Sequence, residues 1–202
     1  MLFRSQDLHD ELGQGLTQVG ILGSLAKNPS LSTEQKNLFL DQLSEAARTL
    51  VTGLDEIVWA INPKYDSVAS LASYHALFAQ RFLNLAGIAC RFDTVDELPN
   101  FPMVSQLRHG IFLAFKETLN NVVRHSGATE VRLGITVIQN QLMISIADNG
   151  CGFEASAGTP GNDGVSGMHE RMKKLGGRCV INSHAGQGTN VEFSLALGKN
   201  EP

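Results

Sequence analysis

Leu142 to Phe153 reads LMISIADNGCGF. Leu142, Ile144 and Ile146 alternate with Met143, Ser145 and Ala147, the two-residue period of a strand with one buried face. The strand runs into Asp148-Asn149-Gly150-Cys151-Gly152, so a carboxylate stands at a strand end, before glycines that let backbone approach a ligand closely. Asp-Asn-Gly alone is also ordinary hairpin-turn chemistry. The continuation is less ordinary. Gly158, Gly161, Gly164 and Gly167 punctuate a stretch that also holds Ser, Thr, Pro, Asn and Asp. That composition resists regular structure and is expected to fold over a bound molecule as a lid. A helix is expected at about 167–175, its start near Gly167 offering free N–H groups to an anion. Gly186-Gln187-Gly188-Thr189 adds a tight turn bearing a hydroxyl.

Working outward, strands are expected at about 88–95, 129–138, 141–148, 178–184 and 188–197, with helices at about 68–86 and 103–125. Helices interspersed with mostly antiparallel strands point to an α/β two-layer sandwich. On the long helix, Leu107, Ile111, Ala114, Thr118 and Val122 are expected to face the sheet. Glu117, Asn121 and Arg124, spaced i, i+4 and i+7, project from one side. A carboxylate and an amide oxygen suit Mg²⁺, directly or through its waters, and a guanidinium suits phosphate oxygens. A solvated helix face has the same pattern, so the stripe alone is weak evidence. Gly127 is placed to end this helix near His125 in the left-handed conformation.

Residues 2–61 read as helix, loop, helix. Leu8, Leu12, Leu16, Val19, Leu22 and Ala26 form one apolar stripe. Asn28-Pro29-Ser30 breaks it, and Ser32 or Thr33 can cap the second helix. Leu40, Leu43, Ala47, Leu50, Leu54, Ile57 and Ile61 follow a seven-residue repeat, the seam of helices that pack on partners. One hairpin has too little surface to bury it, so a homodimeric four-helix bundle is expected. Pro63 ends the second helix, and Asn62 to Ser67 is the expected hinge. The expectation is therefore α+β: a hairpin domain over 1–62 and an α/β sandwich over 63–202.

With 43% hydrophobic and 18% charged residues, the chain has the composition of a soluble globular protein. A net charge of −4 argues against a nucleic-acid partner, which needs a basic face. No apolar run approaches a membrane span, so no membrane contact is expected from this segment. Cys90, Cys151 and Cys179 show no metal-type spacing and suit a reduced, cytoplasmic setting as free core thiols.

In order, these pieces resemble the conserved boxes of the Bergerat-fold (GHKL) ATPases, which include gyrase and the histidine kinases. Glu117 to His125 looks like the N box. Asp148 to Gly152, then Gly164 to Met168 through Gly167, then Gly188-Thr189, look like the glycine boxes. The resemblance implies ATP and Mg²⁺ as cofactors. It implies that Asp148 binds the adenine amino group, Asn121 holds the metal, and Arg124 and His125 lie near the phosphates. Glu117 would orient a nearby or metal-bound water. Gly150, Gly152, Gly164, Gly167, Met168 and Thr189 would complete the nucleotide site.

The front of the chain selects a branch. His9-Asp10-Glu11-Leu12-Gly13-Gln14 is similar to the phosphoacceptor box of the sensor histidine kinases whose partners are often NarL-type response regulators (the HisKA_3 class). Asp55 to Pro63 looks like the junction seen in that class. Two departures are Gln6, where a basic residue is common, and His169, where Arg is frequent. The resemblance implies autophosphorylation of His9 from ATP, then transfer to an Asp of a regulator. Asp10 would hold the imidazole and act as base, and Asp10 with Gln14 would form a DxxxQ motif for dephosphorylating the regulator. Only eight residues precede His9, so an upstream sensor, membrane-attached or not, is expected. The competing readings are an anti-sigma-type serine kinase and a non-catalytic nucleotide-binding scaffold.

Overall fold

The computed structural model describes residues 5–94, 98–99, 101–154 and 163–198; side chains are described except at 5–12, Ile61, Thr94 and Asp163. The chain divides into two compact units, Met1–Asn62 and Pro63–Pro202.

The first unit is a hairpin of α1 (Ser5–Ala26) and α2 (Thr33–Ile61). Between them, Asn28 accepts a side-chain bond from the Ser30 amide at 3.0 Å and turns the chain. Ser32 opens α2 with a capping box: its hydroxyl accepts from the Gln35 amide, and the Gln35 side chain accepts from the Ser32 amide. Gly15 and Gly23 sit against Leu50 and Leu43, and a Cβ at Gly15 would overlap the Leu50 side chain. Small residues on α1 thus accept large ones from α2. The expected single seam on α2 splits in two. Leu43, Ala47, Leu50 and Ile57 are half-buried, whereas Leu40 (49%) and Leu54 (45%) stay exposed beside Val51 and Val58.

The second unit carries a five-stranded sheet in the order β1-β2-β3-β5-β4. The strands are β1 (Ala89–Thr94), β2 (Glu130–Ile138), β3 (Gln141–Asp148), β4 (Arg178–Ser183) and β5 (Thr189–Ala196). Only the β1–β2 pair is parallel. The helices are α3 (Val68–Leu85), α4 (Ser105–Asn121) and α5 (Asp163–Lys174). Val131, Leu133 and Ile135 on β2, Leu142, Ile144 and Ile146 on β3, and Val191, Phe193 and Leu195 on β5 are buried at alternate positions. The helices supply the other layer of the core, with Leu71, Leu83, Phe112, Phe115, Leu119 and Met172 fully or almost fully buried.

Two elements differ from expectation. α4 is buried round most of its girth (Gly110, Phe112, Phe115 and Leu119 as well as Ile111, Ala114, Thr118 and Val122), because α3 and α5 flank it on the sheet. α5 begins by Asp163, so Gly164 and Gly167 lie inside a helix; Gly158 and Gly161 fall outside the described residues.

Of the segment Asn62 to Ser67, the last two residues bond to the second unit. Asp66 accepts a 2.6 Å bond from the buried Arg108 guanidinium, its carbonyl accepts from the Met103 amide, and Ser67 pairs with Pro102. From Asp66 onward the segment is bound into the second unit.

His75 is wholly buried on α3, with its Nδ1–H donated to the Leu71 carbonyl at 2.8 Å and its ring against Phe112 and Phe115. Burial lowers its pKa to about 4, with the Leu71 bond opposing the shift. The unfolded chain takes up this proton near pH 6.5. Stability is therefore complete above pH 6.5 and falls as the pH drops towards 4, by about 1.4 kcal/mol per unit. Between pH 7 and pH 5, denaturant unfolding of the wild type is expected to lose about 2 kcal/mol more than unfolding of His75→Gln. Equal losses in the two proteins would show that His75 is not the group responsible.

Candidate nucleotide site

β3 is flanked by β2 and β5, and at its end Asp148 lies opposite Thr189 of β5. Asp148 is 9% exposed, and its Oδ1 accepts from the Gly150 amide at 2.8 Å. That bond folds the following turn back on the carboxylate and leaves Oδ2 for a ligand.

The loop after Asp148 is clamped by several neighbours. Asn149 Oδ1 accepts from the Thr129 and Glu130 amides at 2.9 and 3.0 Å, and its Nδ2 donates to Thr129 Oγ1. The Cys151 amide donates to Ser126 O, the Gly186 amide to Cys151 O, and the Phe153 amide to Ser183 Oγ. Such packing leaves no room for side chains. A Cβ at Gly150 would meet Ser126, one at Gly152 (φ +59°) the His184 and Gly188 carbonyls, and one at Gly188 (φ +78°) the Asp148 carbonyl.

Across from this loop, α4 ends in a π-helical turn, Val122–Ser126, closed by Gly127 at φ +61°. The Ser126 hydroxyl donates to Val122 O and accepts from the Ala128 amide, fixing the turn. Arg124 and His125 are left exposed on it.

Between the two lies a cavity of about 470 Å³. The structure brings Glu117, Asn121, Arg124, His125, Asp148, Gly152, Gly164, Met168 and Thr189 to its wall. Gly150 and Gly167 are not in the lining: Gly150 instead serves Asp148, and Gly167 has open space beside it. A Cβ at Gly164 would press on the Glu117 carboxylate and come 3.6 Å from Asn121 Nδ2, so glycine there lets α5 close on the polar stripe of α4. Thr118 Oγ1 lies 3.1 Å from Ala114 O and 3.2 Å from Met168 Sδ, so α5 sits close against α4 at the cavity wall.

The apolar part of the wall, including Val122, Val165, Ile181 and Val191, went unread in the sequence, where those residues look like any other core positions. Cys151 is also a correction: it is exposed at the cavity, with its thiol donating to His125 O at 3.4 Å. Cys179 is buried and its pKa is pushed up to about 11 by burial; Cys90 is half-buried.

A cation fits the polar wall. Glu117 and Asn121 present a carboxylate and an amide oxygen one helical turn apart, both near Gly164. No cluster of three His, Cys, Asp or Glu able to hold a metal exists among the described residues. His9 and Asp10 lie in the helical backbone of α1, their side chains outside the described ones, while Gln14 is exposed. They belong to a different unit from the cavity.

Residues 107–199 match the family model of histidine kinase-, DNA gyrase B-, and HSP90-like ATPases. The fold agrees: a full-length ShkA bound to AMPPNP superposes with a TM-score of 0.61 at 18% identity, covering 96% of this chain and 46% of that one. The kinase domain of the Erythrobacter litoralis EL346 blue-light activated histidine kinase gives 0.55 at 18% identity, covering 93% and 94%. The matched residues all lie in the second unit. Along nearly its whole length the chain is similar to sensor histidine kinase YhcY of Bacillus subtilis, at 26% identity over 96% of this chain and 49% of the relative. It is likewise similar to the histidine-protein kinase/phosphatase UhpB of Salmonella typhimurium, at 29% over 95% of this chain and 37% of that protein. The chain spans less than half the length of these two relatives.

Proposed function

We propose that this chain is the catalytic core of a two-component sensor histidine kinase, which phosphorylates His9 from ATP and passes the phosphoryl group to an Asp of a response regulator. The observation that carries the reading is the cavity itself. One wall offers the buried carboxylate of Asp148 with Thr189, and the other Glu117, Asn121, Arg124 and His125. The first arrangement suits a base with an exocyclic amine, the second a triphosphate with its cation.

Phosphoryl transfer asks for in-line positioning and charge neutralisation. Asp148 anchors the base, Arg124 and His125 sit near the phosphates, and Glu117 orients a water by the cation. Mg²⁺, held through Asn121, would neutralise phosphate charge. A neutral His9 imidazole forms the N–P bond as the bond from the γ-phosphorus to the bridging oxygen breaks and ADP leaves. Asp10 holds the other ring nitrogen and takes up its proton. Gln14, one turn from Asp10, orients a water against the acyl phosphate of a docked regulator, giving the phosphatase activity.

The hairpin is the dimerisation and phosphotransfer domain, and its partner is a second copy. Leu40, Val51, Leu54 and Val58 leave an apolar flank open on α2, and Leu16 is 64% exposed on α1. Burying that flank in a four-helix bundle removes it from water. The regulator is of the NarL type. Among the described residues no helix is long and apolar enough to cross a membrane, and we place this core in the cytoplasm.

The product of labelling with γ-labelled ATP distinguishes the readings. Label that is lost in acid and kept in base is expected, as for an N–P bond. Acid-stable label would mean a hydroxyl acceptor and the serine-kinase reading, and no label with intact nucleotide binding would mean a scaffold.

A further inference from the structure

Ser183 stands outside the cavity wall, yet it joins three groups that shape it. It ends β4 and is 6% exposed. Its Oγ lies 2.8 Å from the Phe153 amide, 3.2 Å from the Gly188 carbonyl and 2.9 Å from Thr189 Oγ1. Phe153 and Thr189 both line the cavity. Ser183 therefore links the loop after Asp148 to the turn before β5.

The protons in this group can be assigned. The Phe153 N–H can only donate, so Ser183 Oγ accepts there. The Gly188 carbonyl can only accept, so the one proton of Ser183 goes to it. The remaining Ser183–Thr189 contact then takes its proton from Thr189. With its own proton turned back onto Ser183, Thr189 has only lone pairs left for the cavity. A hydroxyl otherwise free to act as donor or acceptor is thereby fixed as an acceptor.

We propose that Ser183 is a positioning residue that sets the polarity of the Thr189 hydroxyl, and through it the preference of the site for an amino-bearing base. This rests on the nucleotide reading above. Asp148 and Thr189, paired across β3 and β5, both present acceptors to the base. That suits the exocyclic amine of adenine and opposes the O6 acceptor of guanine. Without the Ser183 hydroxyl, the Thr189 proton is free to turn into the cavity, where it favours O6.

The test is equilibrium binding of AMPPNP and GMPPNP to the full chain. Ser183→Ala is expected to weaken AMPPNP roughly three- to tenfold, the effect of one net hydrogen bond, while GMPPNP weakens less or improves. The adenine-to-guanine ratio therefore falls. Ser183→Thr, which keeps the hydroxyl, restores the ratio. In a Thr189→Val background, Ser183→Ala no longer changes the ratio, because the hydroxyl it acts through is gone. Equal weakening of both nucleotides by Ser183→Ala would reduce Ser183 to a structural role and overturn the proposal. So would a ratio change that persists in Thr189→Val. Wild type that binds neither nucleotide would instead remove the nucleotide reading on which the proposal stands.

Discussion

Asp148→Asn is expected to weaken binding of a fluorescent ATP analogue by roughly ten- to a hundredfold, with little change in folding stability. The exchange keeps the shape of the side chain and inverts one of its atoms. Oδ1 is held by the Gly150 amide at 2.8 Å, which requires an acceptor. An asparagine satisfies that bond only by placing its oxygen there. Its NH₂ then stands where Oδ2 stood, and a donor faces the exocyclic amine of adenine, itself a donor. The loss is that of a charge-assisted bond together with a mismatch in a site where Asp148 is only 9% exposed. The same inversion should help guanine, whose O6 accepts, so the adenine-to-guanine preference is expected to shrink along with affinity. Binding of the ATP analogue that survives Asp148→Asn unchanged would place the base elsewhere in the cavity.

Much of this site could be read from the chain because it is built from a strand end and a helix face, whose periods are short and rigid. The two-residue alternation from Leu142 to Ala147 puts Asp148 at the end of β3, and the register with β5 brings Thr189 opposite. The four-residue step from Glu117 to Asn121 survives because α4 is regular up to Asn121. Beyond it the helix widens into a π turn, and Ser126, whose hydroxyl fixes that turn and whose carbonyl accepts from the Cys151 amide, has no signature in sequence. Ser183 is equally silent: a serine ending a strand is commonplace, and its importance depends on which three groups happen to converge on it.

The misread of α5 has a clear cause. Glycines weaken a helix by roughly 1 kcal/mol each, so Gly164 argued for loop and the helix was expected to open only near Gly167. Tertiary contact overrode propensity at Gly164, where any side chain would collide with the Glu117 carboxylate. The helix must come that close for Met168 to reach Thr118. At Gly167 the described residues make no such contact and offer no packing reason for the glycine. On α2 the seven-residue repeat was legible, but a repeat cannot say which partner each residue meets. Leu43 and Leu50 meet glycines of α1 within the protomer, whereas Leu40 and Leu54 stay about half exposed.

His9→Ala is expected to bring label from γ-labelled ATP down to background while leaving affinity for an ATP analogue unchanged. The chain has six histidines, and the structure speaks to the other five. His75 is sealed in the core and neutral, its ring nitrogen committed to Leu71. His109 is half-buried, and desolvation, followed by the charges of Arg171 and Lys116, lowers its pKa. His169 is exposed on α5 with Glu170 after it, but Lys174 stands at the place that Gln14 takes relative to His9, and His184 is exposed on the turn before β5 with Ala185 after it. His125 is the serious rival, because it lines the cavity with Arg124 beside it. Its place on the π turn, fixed by Ser126 and Gly127, sets it in the cavity wall within the same unit. His9 differs in having Asp10 next to it and Gln14 one turn beyond that, a set fit to orient an imidazole and later a water. Because His9 belongs to the hairpin unit, its loss should leave the cavity intact, whereas His125→Ala should weaken nucleotide binding and still leave acid-labile label at saturating ATP. Label that persists in His9→Ala and disappears in His125→Ala would transfer the acceptor role to the ATPase unit and end the proposal of a hairpin phosphotransfer domain.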